Sequence, residues 1–289
     1  MFYKSWSNYL LITLSFALSS CQLPAKSMVY DNVKDLSVFA EQIKLDKPGK
    51  ENTLIIFDID DTLLEAVNFV GSGKWYNWQR GRVVHDPMGK LVSINKKQQF
   101  HCMFRTLGTL FEVGSTKLTQ NNTVEIFDQL KNFDLMILTA RTAKYRVATE
   151  RELVKNAISL ASEQLSSVKN GLDFQFNDGK RTARVTYDKG IVMSSGLNKG
   201  LVLKTVLEQA NKSYQHIYFI DDSAKNIKQM KEEWQDKESI MKIFHYTKVD
   251  KTVSEKEIRE SDEAKQHYHQ FIKTAYPDQY EAFSKGDCN

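Results

Sequence analysis

The chain has few cysteines, few prolines and no long apolar run, and each of these absences excludes a class of protein. Only 3 of its 289 residues are cysteine and 4 are proline, which excludes a disulfide-dense scaffold and a proline-rich linker. No Cys-x-x-Cys pair or Cys/His zinc spacing occurs. No apolar stretch reaches the ~20 residues that a helix needs to cross a bilayer. Low-complexity tracts and solenoid-length repeats are also missing.

An excess of either charge is also absent. The chain carries 40 basic and 36 acidic residues, a net charge of +4, and no dense basic block with interleaved aromatic residues. We therefore expect no nucleic-acid partner. The length and the 41% hydrophobic content suit one substantial domain with an inserted cap, or two small domains.

The N-terminal stretch MFYKSWSNYLLITLSFALSSCQ has the pattern of an export signal. Lys4 precedes an apolar run at 10–18, and small residues then precede Cys21. The pattern predicts a signal peptide over residues 1–20. The segment LSSC resembles a bacterial lipobox, which makes Cys21 the candidate lipidation residue, and the following Gln22 favours the outer membrane. We expect an exported protein, lipid-anchored at the periplasmic face of the envelope. A signal cut elsewhere and a buried first helix are the alternatives.

Two cysteines remain if Cys21 is lipidated. An oxidising compartment would permit a disulfide between Cys102 and Cys288. Two residues give no spacing pattern to test, so a disulfide and two free thiols both stay open.

The rest of the chain divides into four parts. Residues 21–50 are expected to form a tether and a leading helix that begins at Asp31. A core spans 51–250 and contains an irregular, aromatic-rich insertion at 65–120, and a helical segment covers 251–289. Within the core, apolar runs predict strands at 53–58, 134–140, 216–222 and 240–246. Helices are expected at 122–132, 143–167 and 199–210, and a β-hairpin around Asp178-Gly179.

Strands that alternate with helices predict an α/β fold, a Rossmann-like parallel sheet with helices on both faces and a small cap insertion. Such sheets bind ligands at the carboxyl ends of their strands. Three polar groups follow predicted strands directly: 58–61, 139–141 and 221–222. We expect them to meet at one edge of the sheet.

These groups and Lys199 form four motifs in a fixed order. They are DIDDT (58–62), LMILTA ending in Thr139 and Ala140, Lys199 itself, and DDSAKN (221–226). This set resembles the haloacid dehalogenase (HAD) superfamily. The stretch FDIDDTLLEAVNFVGSGKWYNW is also similar to bacterial secreted acid phosphatases of that superfamily, and closer still to a related bacterial family of unknown function.

The resemblance implies a phosphomonoester hydrolase that acts on a small-molecule phosphate ester. Asp58 would be the nucleophile that forms an aspartyl-phosphate, and Asp60 the general acid and base. Thr139 would hold phosphoryl oxygens and Lys199 would neutralise charge in the transition state. Two acidic residues separated by one residue favour a phosphatase over the dehalogenases of the superfamily, which lack the second acid.

The same chemistry implies a Mg²⁺ ion, because carboxylates beside a phosphoryl group need a divalent cation and Mg²⁺ prefers oxygen ligands. The side chains of Asp58 and Asp222 and the backbone carbonyl of Asp60 would hold it. Asp221 is the alternative to Asp222, and the choice between them stays open.

Three further residues are candidates for substrate binding. Trp75 and Trp78 could stack on an aromatic group or could pack the cap onto the core. Arg141 could bind a substrate anion or could pair with a nearby acid. Two other functions also stay open: a non-catalytic surface lipoprotein that uses the fold as a binding module, and a phosphotransferase.

Overall fold

A computed structural model describes residues 27–160, 165, 168, 170–236 and 238–288 of the chain. Its strands are β1 (Ser27–Val33), β2 (Thr53–Phe57), β3 (Leu64–Ala66), β4 (Val84–His85), β5 (Leu91–Val92), β6 (Thr116–Leu118), β7 (Asp134–Thr139), β8 (Leu172–Asn177), β9 (Thr182–Asp188), β10 (Ile191–Met193), β11 (His216–Asp221) and β12 (Ile240–Tyr246). Its α-helices are α1 (Leu36–Asp46), α2 (Gly73–Gln79), α3 (Met103–Val113), α4 (Thr123–Leu130), α5 (Arg146–Lys155), α6 (Lys199–Gln209), α7 (Ala224–Trp234), α8 (Glu255–Ala275) and α9 (Pro277–Ser284).

A central sheet organises the molecule, with the strand order β1-β12-β11-β2-β7-β10-β9-β8. The first six strands in that order are parallel, and β9 and β8 continue the sheet as an antiparallel hairpin. The predicted α/β fold with a mostly parallel sheet is therefore confirmed. All four predicted apolar strands are present, as β2, β7, β11 and β12.

Helices cover both faces of the sheet, and strand β2 shows how the sequence produces this. Its side chains alternate, with Ile55 and Phe57 in one core cluster and Leu54 and Ile56 in the other. Helices α1 and α4 pack on the first cluster, and α6 and α7 pack on the second. Each fully buried aliphatic or aromatic side chain contributes about 1.5–3 kcal/mol, so these two layers hold the fold together.

The N-terminal part of the core differs from the expected tether and helix. Residues 27–33 form edge strand β1, which pairs in parallel with β12, and Tyr30 stacks on Phe244 with ring centroids 4.4 Å apart. The helix expected from Asp31 begins only at Leu36, because the Asp35 side chain caps it by accepting a hydrogen bond from the Ser37 N–H. Pairing with the open edge of β12 overrides a sequence that carries little strand signal of its own.

Helix α5 is shorter than the helix expected over 143–167. It ends at Lys155, where the Asn156 side chain donates to the Glu152 carbonyl at 2.8 Å, and Ala157 then adopts a left-handed backbone with φ +57°. These two residues stop the helix. The predicted hairpin is present, with β8 and β9 paired around Asp178-Gly179.

The cap consists of two segments that lie far apart in the sequence. The insertion at 65–120 supplies Phe69, Trp75 and Trp78 to an apolar cluster, and α8 and the residues before it complete that cluster with Val253 and Ile258. The insertion is not irregular throughout, since it contains α2, α3 and four short strands.

Polar and covalent links tie the two cap segments together. The Trp75 indole N–H donates to Ser261 Oγ at 2.9 Å, and Lys74 forms an ion pair with Glu257 at 2.5 Å. A disulfide joins Cys102 to Cys288, with Cα atoms 5.2 Å apart. The disulfide, one of two possibilities that the sequence left open, is therefore the state of these cysteines in the structure.

Candidate active site

The site begins where two neighbouring strands end. The Asp58 N–H continues the ladder between β2 and β11 by donating to the Ile220 carbonyl at 3.0 Å. Asp221 is the last residue of β11, and Asp222 follows it. Because both strands run the same way, three carboxylates arrive together, with ligand oxygens of Asp58, Asp221 and Asp222 all within 4.8 Å of one another.

Lys199 joins two of these carboxylates. It is the first residue of α6, a helix capped by the Asn198 side chain, which accepts from the N–H groups of the next turn. Its Nζ lies 2.7 Å from Asp58 Oδ1 and 2.7 Å from Asp221 Oδ2, and the residue is only 1% exposed. Burial lowers the pKa of Lys199, but the two carboxylates outweigh it and raise this pKa above its usual value. Lys199 is therefore charged.

Asp221 and Asp222 have different surroundings. Asp221 is fully buried and accepts hydrogen bonds from Lys199, the Ser223 N–H and the Asn226 amide, which occupy both of its oxygens. Asp222 is partly exposed and accepts from Lys251 Nζ at 2.8 Å. Asp222 thus keeps acceptor capacity that Asp221 has already used.

Asp61 and Lys251 also belong to the site. Asp61 falls in the 58–61 group that the sequence placed at this edge, although no role was predicted for it, and Lys251 was missed. Lys251 lies beyond the end of β12 and contacts the carboxylates of Asp61 and Asp222. Gly73, at the start of α2, packs directly on Asp61 and leaves no room for a Cβ. One signal could have found Lys251: β12 was predicted, and its carboxyl end lies at the same edge as those of β2 and β11.

Asp60 and Arg141 form a bidentate ion pair. Arg141 Nε donates to Asp60 Oδ2 at 3.0 Å, and Nη2 donates to Oδ1 at 2.7 Å. The guanidinium also donates to Thr149 Oγ1 and lies 4.3 Å from the centroid of the Phe111 ring. Of the two interpretations left open for Arg141, the structure shows the pairing with an acid.

Thr139 completes the predicted set and closes β7. The residue is fully buried, and its hydroxyl accepts from the Arg141 N–H at 3.2 Å. Ser194 donates from both its N–H and its hydroxyl to the Thr139 carbonyl, which fixes the end of the strand. All six predicted catalytic and metal residues, with Arg141, therefore gather at the carboxyl ends of the central strands.

Trp75 and Trp78 lie elsewhere. Both are 0% exposed inside the apolar cluster of the cap, so in this structure neither ring is open to a ligand from solvent. The packing interpretation describes their environment, because an indole ring gains most from complete burial. A small cavity of about 50 Å³ beside Asp60 is lined instead by residues that include Val70, Leu110 and Phe111.

The cluster holds more negative than positive charge. Five carboxylates (Asp58, Asp60, Asp61, Asp221 and Asp222) face three cations (Arg141, Lys199 and Lys251). Burial raises the pKa of Asp58 well above its usual value, against the opposing effect of Lys199. Burial, opposed by Lys251 and assisted by the charge of Asp221, raises the pKa of Asp222 to about 7. A divalent cation would compensate this excess, and an all-oxygen donor set suits Mg²⁺.

The pKa of Asp60 shifts in the opposite direction. Burial alone would raise its pKa, but the charge and hydrogen bonds of Arg141 outweigh burial and hold the pKa of Asp60 below its usual value. Asp60 therefore stays ionised while it is paired with Arg141.

The expected signal peptide at 1–20 and the candidate lipidation residue Cys21 lie outside the described residues. In the part of the chain that the structure does describe, no helix has the length and apolar character needed to cross a membrane.

Comparison with known proteins gave one match. The profile of a family described as "Protein of unknown function (DUF2608)" matches residues 30–277, which include every element from β2 to α8. No curated protein and no solved structure matched the chain. The match spans the sheet, the acidic cluster and both halves of the cap.

Proposed function

This chain belongs to DUF2608, a family of unknown function, and from the geometry of its site we propose that it is a phosphomonoester hydrolase of the HAD type. The observation that carries the proposal is the position of Lys199, 2.7 Å from both Asp58 and Asp221. Among the described residues, nothing donates a hydrogen bond to Asp58 Oδ2. That oxygen is the proposed nucleophile.

The reaction runs in two displacements. Asp58 Oδ2 forms a bond to phosphorus, the bond to the ester oxygen breaks, and that oxygen leaves as an alcohol with a proton from Asp60. Asp60 then takes a proton from a water molecule, which attacks phosphorus and releases inorganic phosphate from Asp58. Lys199 offsets negative charge during both steps, and Thr139 holds a phosphoryl oxygen through its hydroxyl.

The donor set supports Mg²⁺ as the cofactor. We assign its ligands to the side chains of Asp58 and Asp222 and the backbone carbonyl of Asp60. Asp221 is left out because Lys199, Ser223 and Asn226 occupy its oxygens. When bound, the ion supplies positive charge to the phosphoryl oxygens.

A non-catalytic binding protein is the second candidate, and one contact favours it. Arg141 occupies both oxygens of Asp60 and lowers its pKa, which opposes the protonated state that a general acid needs. Catalysis therefore requires Asp60 to gain a proton or to leave Arg141 once substrate binds. A binding protein requires neither.

Hydrolysis assays separate the two. We expect release of inorganic phosphate from p-nitrophenyl phosphate or another monoester in the presence of Mg²⁺. Asp58→Asn should lower the rate at least 10³-fold, since it removes the nucleophile. Asp128→Asn, at an exposed position on α4, is the matched control and should retain full activity. No turnover on a broad panel of phosphate esters would favour the binding protein.

Phosphate transfer is tested in the same assay. Added glycerol competes with water for the aspartyl-phosphate, and a phosphotransferase would form glycerol phosphate in preference to inorganic phosphate. A hydrolase would release inorganic phosphate as the main product.

The cellular location that we propose is an oxidising compartment outside the cytoplasm. The disulfide between Cys102 and Cys288 supports it, because such bonds persist where glutathione does not reduce them. Export by the N-terminal signal and lipid anchoring at Cys21 agree with this location. Metabolic labelling with a radioactive fatty acid, and its loss in Cys21→Ser, tests the anchor.

A further inference from the structure

Four basic residues from three separate elements act on one another, since the charges of three of them lower the pKa of the fourth. Arg82 follows α2 in the cap, Lys180 and Arg181 form the turn between β8 and β9, and Lys225 lies in the first turn of α7. We call these four residues the basic rim. All four are exposed, so a ligand can reach them.

Contacts of the hairpin turn fix two of these cations beside the acidic cluster. Asp178 Oδ2 accepts from the Asn198 N–H at 3.0 Å, and Asn198 immediately precedes Lys199. On the other side of the turn, Arg181 donates to the Ser195 carbonyl. The turn is therefore anchored next to the start of α6, the helix that carries Lys199.

A second contact links the turn to the Arg141 side of the site. Ser195, the acceptor for Arg181, donates its own N–H to the Arg141 carbonyl at 3.1 Å. Arg181 also packs on Gly196, and Gly196 itself lies beside the carbonyl of Ala140. The basic rim therefore borders the same strand ends that carry Thr139 and Arg141.

The other two cations of the basic rim, Lys225 and Arg82, lie outside the hairpin turn. Lys225 lies three residues beyond Asp222, and Arg82 is held by a 2.8 Å hydrogen bond to Asn77 and by the Tyr76 ring. Partial desolvation of its side chain lowers the pKa of Lys225, and the positive charges of Arg82, Lys180 and Arg181 lower it further. The fold thus holds like charges close enough to repel one another, which costs free energy unless an anion binds.

The acid that lies within the turn of the basic rim is already engaged. Asp178 raises the pKa of Lys225, but its carboxylate already accepts from the N–H groups of Lys180, Arg181 and Asn198. We propose that the basic rim is a second anion subsite, so that the substrate is a phosphate ester with a further phosphate group. One phosphate would lie at Asp58 and the other on the rim. This inference rests on the proposed function for the identity of the first group.

Binding to an inactive variant tests the subsite without turnover. The probes are fructose 6-phosphate and fructose 1,6-bisphosphate, titrated calorimetrically into Asp58→Asn at fixed ionic strength and excess Mg²⁺. We expect the bisphosphate to bind about tenfold more tightly, since it gains contacts with two or more cations. Equal affinity for the two probes would overturn the inference.

Lys180→Ser/Lys225→Ser in the same background should reduce that tenfold preference to about one. Among the described residues, neither of these side chains makes a hydrogen bond or ion pair, so the fold should not change. Lys44→Ser/Lys50→Ser removes the same charge from exposed positions that precede β2 in the chain, and this control should keep the preference for the bisphosphate. A loss of preference in this control, or its retention in the rim variant, would contradict a specific subsite.

Kinetics then distinguish the two proposals. With Asp58 restored, the rim variant should hydrolyse p-nitrophenyl phosphate within about twofold of the wild-type rate and lose about tenfold in kcat/KM for the bisphosphate. If no ester is hydrolysed, the proposed function fails while the binding result still stands. If hydrolysis occurs but the rim variant loses the same factor in kcat/KM for both substrates, only the inference of a second subsite is contradicted.

Discussion

Lys251 adds a positive charge to the pocket in which a metal ion would bind. It contacts Asp61 and Asp222, and it lies on the loop that leads from the sheet into α8. A fixed ammonium group at this point offsets part of the carboxylate charge and so competes with a divalent cation. Lys251 should therefore weaken the binding of metal and favour the release of the ion.

Lys251→Ala is expected to tighten divalent-cation binding about tenfold, because it removes a charge 2.8 Å from Asp222 Oδ2. Calorimetric titration with Mn²⁺ measures the change. Lys248→Ala, at an exposed position on the same loop, is the matched control and should bind as the wild type does. Unchanged or weaker binding in Lys251→Ala would show that this lysine does not oppose the metal.

Gly73 permits the closest approach between the cap and the acidic cluster. A Cβ at this position would overlap the Asp61 carboxylate. Gly73→Ala should therefore lower the free energy of unfolding by about 1–3 kcal/mol, the usual range for an overpacked site, and should also reduce activity. Urea denaturation measures the loss.

Gly49→Ala controls for the general effect of replacing glycine. No atom lies within 4 Å of a Cβ there, and the backbone is ordinary at φ −64°. Equal stability of the two alanine variants would mean that Asp61 can move aside freely.

The sequence located most of the site residues but not their pairing. Asp58, Asp60, Asp221 and Asp222 were predictable because they follow apolar strands of a parallel sheet. The ion pair of Arg141 with Asp60 was left open, since spacing along a chain does not say which acid a long side chain reaches. The burial of Trp75 was also open, because its partner Ser261 lies 186 residues away.

At the scale of elements, predictability followed the strength of the local signal. Strands β2, β7, β11 and β12 are continuous apolar runs, and each was found close to its observed bounds. Strands β1 and β10 were missed, because β1 is partly exposed and β10 has only three residues. Both depend on pairing with a strand that is distant in sequence, which local patterns do not record.

Helix α1 is tied to the sheet through Asp46 at its end. Asp46 accepts from the Tyr218 hydroxyl of β11 and from Lys242 of β12, both at 2.7 Å. Burial alone would raise the pKa of Asp46, but Lys242 and Tyr218 outweigh burial and hold the pKa below its usual value. The unfolded chain therefore binds the proton more tightly than the folded protein does.

Asp46→Asn should consequently lose about 1–2 kcal/mol of stability at pH 7. The pKa of Asp46 is lower in the folded protein than in the unfolded chain. The stability difference from the wild type should therefore have its full size above the unfolded pKa of 3.8, and it should vanish as the pH falls through the lower folded pKa. Urea denaturation across this pH range measures it. Glu41→Gln, at an exposed position of α1, is the control, and a difference that grows in acid would contradict the assignment.

At the scale of the whole molecule, the disulfide closes the cap over a sequence separation of 186 residues. A cross-link of this length limits the freedom of the unfolded chain, and such bonds contribute about 2–4 kcal/mol. Reduction should therefore lower the melting temperature without dismantling the sheet, which shares no residue with the disulfide.

Cys102→Ser/Cys288→Ser should melt at the same temperature as the reduced wild-type protein. Differential scanning calorimetry with and without dithiothreitol checks this, and the variant itself should not respond to the reductant. A wild-type protein that melts identically in both conditions would show that the bond contributes nothing to stability.

The division of the cap between the middle and the end of the chain has a consequence for biosynthesis. The sheet is complete in sequence at Tyr246, whereas the apolar cluster of the cap, which contains Phe69, Trp75 and Trp78, is completed only by residues from Val253 onward. In a chain that emerges from its N-terminus, part of this apolar cluster remains in contact with water until the final segment is delivered. A chaperone that binds apolar segments should therefore engage the nascent chain between these two events and dissociate after the last helices arrive.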